Sequence, residues 1–146
     1  MFSINPNSIH TSTLRTHPHR AVIQETLSAA LASVDPERVI RDFITRDGDT
    51  LRFGDDQIDL NDYSDVIVIG AGKASGAMAK AFCEILPDKV SKGLILVKHS
   101  HEELAKLEKL EIIQGGHPVP DSSSLKGTNK IAKLLLFAKE TDLVIN

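Results

Sequence analysis

The chain has 146 residues, of which 41% are hydrophobic and 25% are charged, and its formal net charge is −3. This length suits one domain with a hydrophobic core. The weakly acidic balance gives no electrostatic case for binding nucleic acid or an anionic membrane surface. No apolar run approaches the roughly 20 residues that a membrane span needs. The single Cys83 excludes an internal disulfide and fits a reducing compartment, so we expect a cytoplasmic protein.

The N-terminal segment changes character near residue 18. Residues 1–17 contain no acidic residue and no apolar signal-peptide core, and we interpret them as a flexible leader. Asp35 and Pro36 predict the N-cap and first turn of a short helix further on. Between residue 18 and Asp35, apolar residues at helical spacing predict a longer helix. These residues are Val22, Ile23, Leu27, Ala30, Leu31 and Val34.

Residues 44–60 favour β-structure. The dipeptide Asp47-Gly48 lies between alternating, Thr-containing flanks, which predicts a small β-hairpin. Gly54-Asp55 predicts a further turn. We interpret this hairpin as a decoration at the edge of the fold.

From Val66 onward, strand and helix patterns alternate. Such alternation predicts an α/β fold: a doubly wound, Rossmann-like, mostly parallel sheet with helices on both faces, here spanning residues 18–146. The fourth strand begins at Asp142, close to the end of the chain, so we expect the domain to be incomplete. The predicted strands are residues 66–69, 93–98, 111–114 and the segment from Asp142. The predicted helices are residues 74–86, a segment with a capping box at Ser100 and Glu103, and residues 125–140.

The first of two unusual loops is the turn Gly70-Ala71-Gly72 with Lys73. Ser75 stands where a dinucleotide fingerprint needs its third glycine, and Ala74 stands where a Walker A loop needs Ser or Thr. Glycines let backbone N–H groups approach an anion, and the following helix directs its positive end to the same place. Lys73 adds a full positive charge there. This pattern favours phosphate binding, although a tight turn with a solvent-facing lysine stays open.

The second loop is "GGHPVPDSSS", residues 115–124. Two prolines stiffen it and hold His117 and Asp121 in defined places. His117 could bind a carboxylate or phosphate, or could satisfy a buried carbonyl. Asp121 or Ser122 is a candidate N-cap for the next helix. Because parallel strands deliver their following loops to one edge of the sheet, we expect both loops to lie together.

The end of the second predicted strand carries "KHSH". Lys98 stands where a dinucleotide-binding enzyme needs an acid for the ribose. His99 and His101 form an HxH pair without a nearby third ligand, and we expect both to be exposed. We therefore assign no metal ligand in this chain.

The segments "IGAGKASGAMAKAF", "KGLILVKHSH" and "GGHPVPDSSS" together closely resemble glycerate 2-kinases of the bacterial and archaeal type. The resemblance covers residues 20–146 and concerns a family whose members are often labelled hydroxypyruvate reductase. It implies ATP- and Mg²⁺-dependent phosphorylation of D-glycerate to 2-phosphoglycerate, in a cleft shared with a second domain. That second domain and the family's Ser-Gly-Gly-Gly-Ser loop are absent here, so we expect this fragment alone to be inactive.

The resemblance also implies residue roles. Lys73 corresponds to the catalytic lysine. The implied substrate- and phosphate-binding residues are Gly70, Gly72, Ala74, His117 and Asp121. The expected partners are glycerate and a nucleotide, with neither nucleic acid nor membrane, and a homodimer stays open. Two alternatives stay open as well: an NAD(P)-dependent hydroxypyruvate reductase and a non-catalytic nucleotide- or anion-binding module.

Overall fold

The computed structural model describes residues 4–99 and 107–146. Within them, no helix combines the length and the apolar composition needed to cross a membrane. The helix predicted from Ser100 and Glu103 lies outside the described residues. Helices α1 to α5 span Ser12–Arg15, Arg20–Ser33, Pro36–Phe43, Ser75–Ile85 and Ser122–Leu136. Strands β1 to β7 span Ile44–Asp47, Thr50–Phe53, Asp56–Asp59, Asp65–Ala71, Val90–Lys98, Leu110–Gly115 and Asp142–Ile145.

The central sheet has four parallel strands in the order β6-β5-β4-β7. Its two faces are covered by different helices. Val68 and Ile95 share a buried cluster with Phe82 of α4. On the opposite face, α5 lies so close to the sheet that a Cβ on Gly127 would come within 2.8 Å of Leu96. The predicted α/β fold with helices on both faces is thus confirmed.

The antiparallel part of the fold is larger than the predicted hairpin. It is a three-stranded sheet in the order β1-β2-β3, with Gly48 and Gly54 at its two turns with φ angles of +59° and +60°. Leu51 is 1% exposed and belongs to the same buried cluster as Phe82. The region is a sheet separate from the parallel one, and it also contributes a side chain to the main core.

Residues 4–17, which we interpret from sequence as a flexible leader, contact α2 in the structure. The Gln24 side-chain amide donates a hydrogen bond to the Ile9 carbonyl at 2.7 Å, and the Ser28 hydroxyl donates to the Ile4 carbonyl. Leu14 of α1 is buried. Polar side chains of α2 thus satisfy carbonyl groups of the N-terminal segment. The domain boundary at residue 17 stays a prediction.

Helix α2 buries a different face from the one its apolar pattern suggests. Gln24 and Ser28 are 4% and 8% exposed, whereas Val22 and Leu27 are 63% and 45% exposed. The helix itself is confirmed, as is the cap of α3, where the Asp35 carboxylate accepts a hydrogen bond from the Arg38 N–H at 2.8 Å.

Candidate functional site

A cleft of about 270 Å³ opens at the carboxyl edge of the central sheet. Its walls come from the turn after β4, the end of β5 and the loop after β6, together with the first two turns of α5. The two unusual loops predicted to share one edge of the sheet therefore do so. The polar residues that line this cleft include Lys73, Lys98, His117, Ser124 and Thr128.

The turn after β4 is held by two hydrogen bonds. The Gly72 N–H donates to the Leu96 carbonyl at 3.0 Å, and the Ser75 hydroxyl donates to the Gly72 carbonyl at 2.8 Å. Gly72 has a φ of +123°, a conformation that side-chain-bearing residues rarely adopt. Lys73 follows directly, so the conformation that glycine allows at position 72 sets the place where the lysine leaves the turn.

Helix α4 begins immediately after Lys73. Its N-cap is Ala74, and none of the described side chains forms a cap hydrogen bond to its first turn. The first-turn N–H groups have no intrahelical partners and carry the positive end of the helix dipole. The turn therefore combines uncapped N–H donors with a full positive charge, which is an arrangement suited to an anion.

The loop after β6 is compact. The His117–Pro118 peptide bond is cis. A Cβ on Gly116 would lie 2.5 Å from the Val119 carbonyl oxygen, so only glycine fits where the chain folds back on itself. This packing holds His117 at the wall of the cleft.

Asp121 is the N-cap of α5. Its Oδ1 accepts hydrogen bonds from the Ser124 N–H at 2.9 Å and the Ser124 hydroxyl at 3.1 Å. Its Oδ2 lies 3.0 Å from Nε2 of His99, which follows the last residue of β5. The His99 ring, and then the backbone N–H groups of Ser124 and Gly116, hold the pKa of the Asp121 carboxyl well below its usual range. Both of its oxygens are thus engaged within the protein.

The charge of the cleft is positive. Lys73 and Lys98 line it, and its described lining residues include no carboxylate. Several lysines elsewhere have acidic partners: the Lys80 ammonium lies 2.9 Å from a Glu37 carboxylate oxygen, and that of Lys89 lies 2.7 Å from an Asp49 oxygen. A cleft with two lysines and no acidic lining residue attracts anions.

The model of the family described as "Domain of unknown function (DUF4147)" matches residues 22–146. The chain belongs to this family. Since the match takes in both loops and all four strands of the parallel sheet, the whole cleft lies inside the DUF4147 domain.

Relatives with functional names confirm the family resemblance predicted from the motifs. A D-glycerate 2-kinase of Thermotoga maritima is 39% identical over 80 residues, which are 55% of this chain and 19% of that protein. A solved protein of Pyrococcus horikoshii OT3 superposes with a TM-score of 0.72 at 28% identity, covering 88% of this chain and 28% of that one. A solved glycerate kinase of Thermotoga maritima superposes with a TM-score of 0.62 at 30% identity, covering 82% and 25%. This DUF4147 chain thus spans between a fifth and about a quarter of the length of these relatives.

The predicted site residues of the DUF4147 domain occupy two kinds of position. Gly72, Lys73 and His117 line the cleft. The other three are not among its lining residues but belong to the elements that form its walls. A Cβ on Gly70 would meet that of Ser75 at 3.1 Å. Ala74 is the N-cap of α4, and Asp121 is the N-cap of α5. The functional roles of all six stay predictions.

Two residues at this site, Lys98 and His99, have structural positions that we do not infer from the sequence. In the sequence, Lys98 is noted only as a lysine where a dinucleotide-binding enzyme needs a ribose-binding acid. In the structure it lines the cleft of the DUF4147 domain. His99 is expected only to be exposed. It is exposed as expected, and it also contacts the N-cap of α5. His101, which carries the same expectation, lies outside the described residues. The available signal is their position directly at the end of a parallel strand, where ligand-binding groups collect.

Proposed function

We propose that the complete protein is a glycerate 2-kinase, which transfers a phosphoryl group from ATP to the 2-hydroxyl of D-glycerate. The observation that carries this proposal is the meeting of Lys73 and His117, from two separate loops, in one positively charged cleft. The names of the relatives in Thermotoga maritima support it. Glycerate and the nucleotide are the proposed partners and the cytoplasm the proposed location, while a homodimer stays a prediction.

In phosphoryl transfer, a protein contributes mainly by positioning the reactants and stabilising charge, and little by covalent chemistry. Lys73, at the start of α4, would neutralise negative charge that develops on the phosphoryl oxygens. The uncapped N–H groups of α4 would bind oxygens of the same group. His117, from the loop after β6, lines the same cleft and would orient the acceptor.

Magnesium fits this cleft only as part of a nucleotide complex. Among the described residues, no three His, Cys, Asp or Glu side chains gather closely enough to hold a metal ion. Lysines bind phosphate oxygens and repel a bare divalent cation. The described residues therefore suit the phosphate groups of MgATP, with the metal held by those phosphates and by water.

The test is an assay on the complete gene product. D-glycerate and ATP are supplied, and 2-phosphoglycerate is detected through enolase, which does not act on the 3-phosphate. Hydroxypyruvate with NADPH or NADH is assayed in parallel. We expect ATP-dependent formation of 2-phosphoglycerate. If hydroxypyruvate oxidises the reduced nicotinamide and glycerate is not phosphorylated, the kinase proposal fails and the protein is a hydroxypyruvate reductase. The position of Lys98 at the end of β5 argues against that outcome.

A further inference from the structure

Lys98 is the last residue of β5, the strand in the middle of the cleft wall. In the register of the sheet it pairs with Gly115 of β6, and its neighbours along the cleft are the turn that carries Lys73 and the loop that carries His117. It is an exposed residue. The site thus contains a second lysine on a rigid strand, separate from the one on the glycine turn.

The two lysines that line the cleft belong to different elements of the fold. Side chains alternate along a strand, so Lys98 shares a face with Leu96, and Leu96 packs against α5 at Gly127. Lys73 precedes α4, which covers the opposite face. Two positive charges from separate elements in one cleft suit a ligand, or a pair of ligands, with two separate anionic groups.

Among the residues that the structure describes, no carboxylate forms an ion pair with Lys73 or Lys98. Within residues 4–99 and 107–146, the only carboxylates paired with lysines belong to other sites, those of Lys80, Lys89 and Lys130. The part of the cleft lining that the structure describes contains no carboxylate. Two ammonium groups that line one cleft repel each other, and a bound anion relieves that repulsion. The described part of the cleft therefore suits an anionic ligand.

We propose that Lys98 binds the carboxylate of the acceptor substrate, while Lys73 serves the transferred phosphoryl group. This assignment rests on the proposed function. Lys73 has the glycine turn and the helix start that suit phosphate, whereas Lys98 is a single charge at a strand end. A single ammonium can pair with one carboxylate without the backbone donors that the glycine turn and the helix start offer a phosphoryl group. Lys98 would then make the enzyme select 2-hydroxy acids over neutral polyols of the same size.

The experiment compares two lysines of one strand in the complete gene product. Lys98→Gln removes the charge in the cleft. Lys92→Gln is the matched control, because Lys92 lies on the same face of β5 by strand alternation but at the opposite end, outside the cleft. Lys98→Arg keeps the charge and tests rescue. Steady-state kinetics are measured with glycerate and ATP varied separately, and thermal unfolding checks that each variant is folded.

For Lys98→Gln we expect the KM for glycerate to rise roughly 10- to 100-fold, since a hydrogen bond to a charged group is lost. The KM for ATP and kcat should stay within about threefold. Lys98→Arg should recover part of the affinity, and Lys92→Gln should match the wild type. An increase in the KM for ATP instead of glycerate would assign Lys98 to the nucleotide and overturn the proposal, as would unchanged kinetics.

Direct binding separates this proposal from the proposed function. D-glycerate is titrated calorimetrically into the wild type and the Lys98→Gln variant in the absence of ATP. Binding that is weakened by Lys98→Gln supports the carboxylate assignment even if no phosphorylation is found, in which case only the kinase proposal fails. A wild-type protein that phosphorylates glycerate but binds it equally well without Lys98 overturns the assignment alone. Absence of glycerate binding by the wild type overturns it too.

Discussion

The imidazole Nε2 of His99 lies 3.0 Å from the carboxylate Oδ2 of Asp121. This contact joins the end of β5 to the N-cap of α5, across 22 positions of sequence. The His99 N–H also donates to the Gly115 carbonyl at 3.2 Å, so one residue fixes both ends of the loop that holds His117. The contact stabilises the wall of the cleft without entering it.

The ionisation of Asp121 should depend on His99. His99 is the main cause of the lowered pKa of the Asp121 carboxyl, so His99→Ala should move that pKa upward towards the ordinary value near 4. The ¹³C shift of the carboxyl carbon, followed against pH, measures this. Asp88 serves as an internal control, because Arg46 holds its pKa low independently of His99. An Asp121 titration that is identical in the two proteins would refute the coupling.

The same pair predicts a direction for acid stability. A carboxyl whose pKa is lowered on folding stabilises the native state above its unfolded pKa, and this contribution is lost as the pH falls through the folded pKa. The unfolding temperature of the wild type should therefore fall below about pH 4. The decline should be shallower in His99→Ala, which starts from a less stable state at neutral pH. A steeper decline in the variant would contradict the sign.

Lys73→Ala should abolish most of the activity of the complete gene product while leaving its fold intact. We expect kcat to fall on the order of 100-fold or more, as for loss of one donor that stabilises transition-state charge. Lys133→Ala, on the exposed side of α5 and outside the cleft, is the control. A near-normal kcat for Lys73→Ala, at normal thermal stability, would remove Lys73 from the mechanism.

Gly72→Ala should impair ligand binding as well as stability. Its φ of +123° is strained for alanine, although a Cβ there would contact nothing within 4 Å. Gly48 in the β1–β2 turn shares the positive φ and the open space but lies outside the cleft. Gly48→Ala should cost about 1–2 kcal/mol in unfolding free energy, and Gly72→Ala at least as much, because its φ lies further from the left-handed region that alanine can adopt. Only Gly72→Ala should weaken binding of ATP, measured by calorimetry on the complete protein; equal affinities in both variants would argue against a binding role for the turn.

Helix α2 should be more sensitive at a polar position than at an apolar one. Gln24→Ala removes the donor to the Ile9 carbonyl, and loss of that bond should raise the hydrogen–deuterium exchange of residues 4–17. Leu27→Ala changes an exposed side chain and should leave that exchange unchanged. The reverse ranking would mean that the N-terminal segment is not held by Gln24.

The alternation of strands and helices in the sequence predicts the sheet and the meeting of the two loops, because parallel strands leave little choice about where their following loops lie. It does not predict the inward face of α2. Gln24 and Ser28 are buried because carbonyl groups of residues 4 and 9 need donors. That requirement depends on a tertiary contact, which the spacing of apolar residues in one helix does not contain.

The site shows the same division. Lys73 and His117 can be placed from glycine and proline patterns, which act locally. The partnership of His99 with Asp121 depends on the register of β5 against β6, in which Lys98 pairs with Gly115. The sequence predicts these strands but not their register. Residues that act through such cross-strand neighbours are therefore missed, even when their own strand is predicted.

The two ammonium groups of the cleft make the choice of buffer an experimental variable. The described lining of the cleft contains no carboxylate beside Lys73 and Lys98, so sulfate, phosphate and citrate should compete with the proposed ligands, the nucleotide and glycerate. Dissolved salt also weakens attraction beyond about 8 Å at physiological ionic strength. Affinities measured in phosphate buffer would understate those of the protein in a chloride buffer of equal pH.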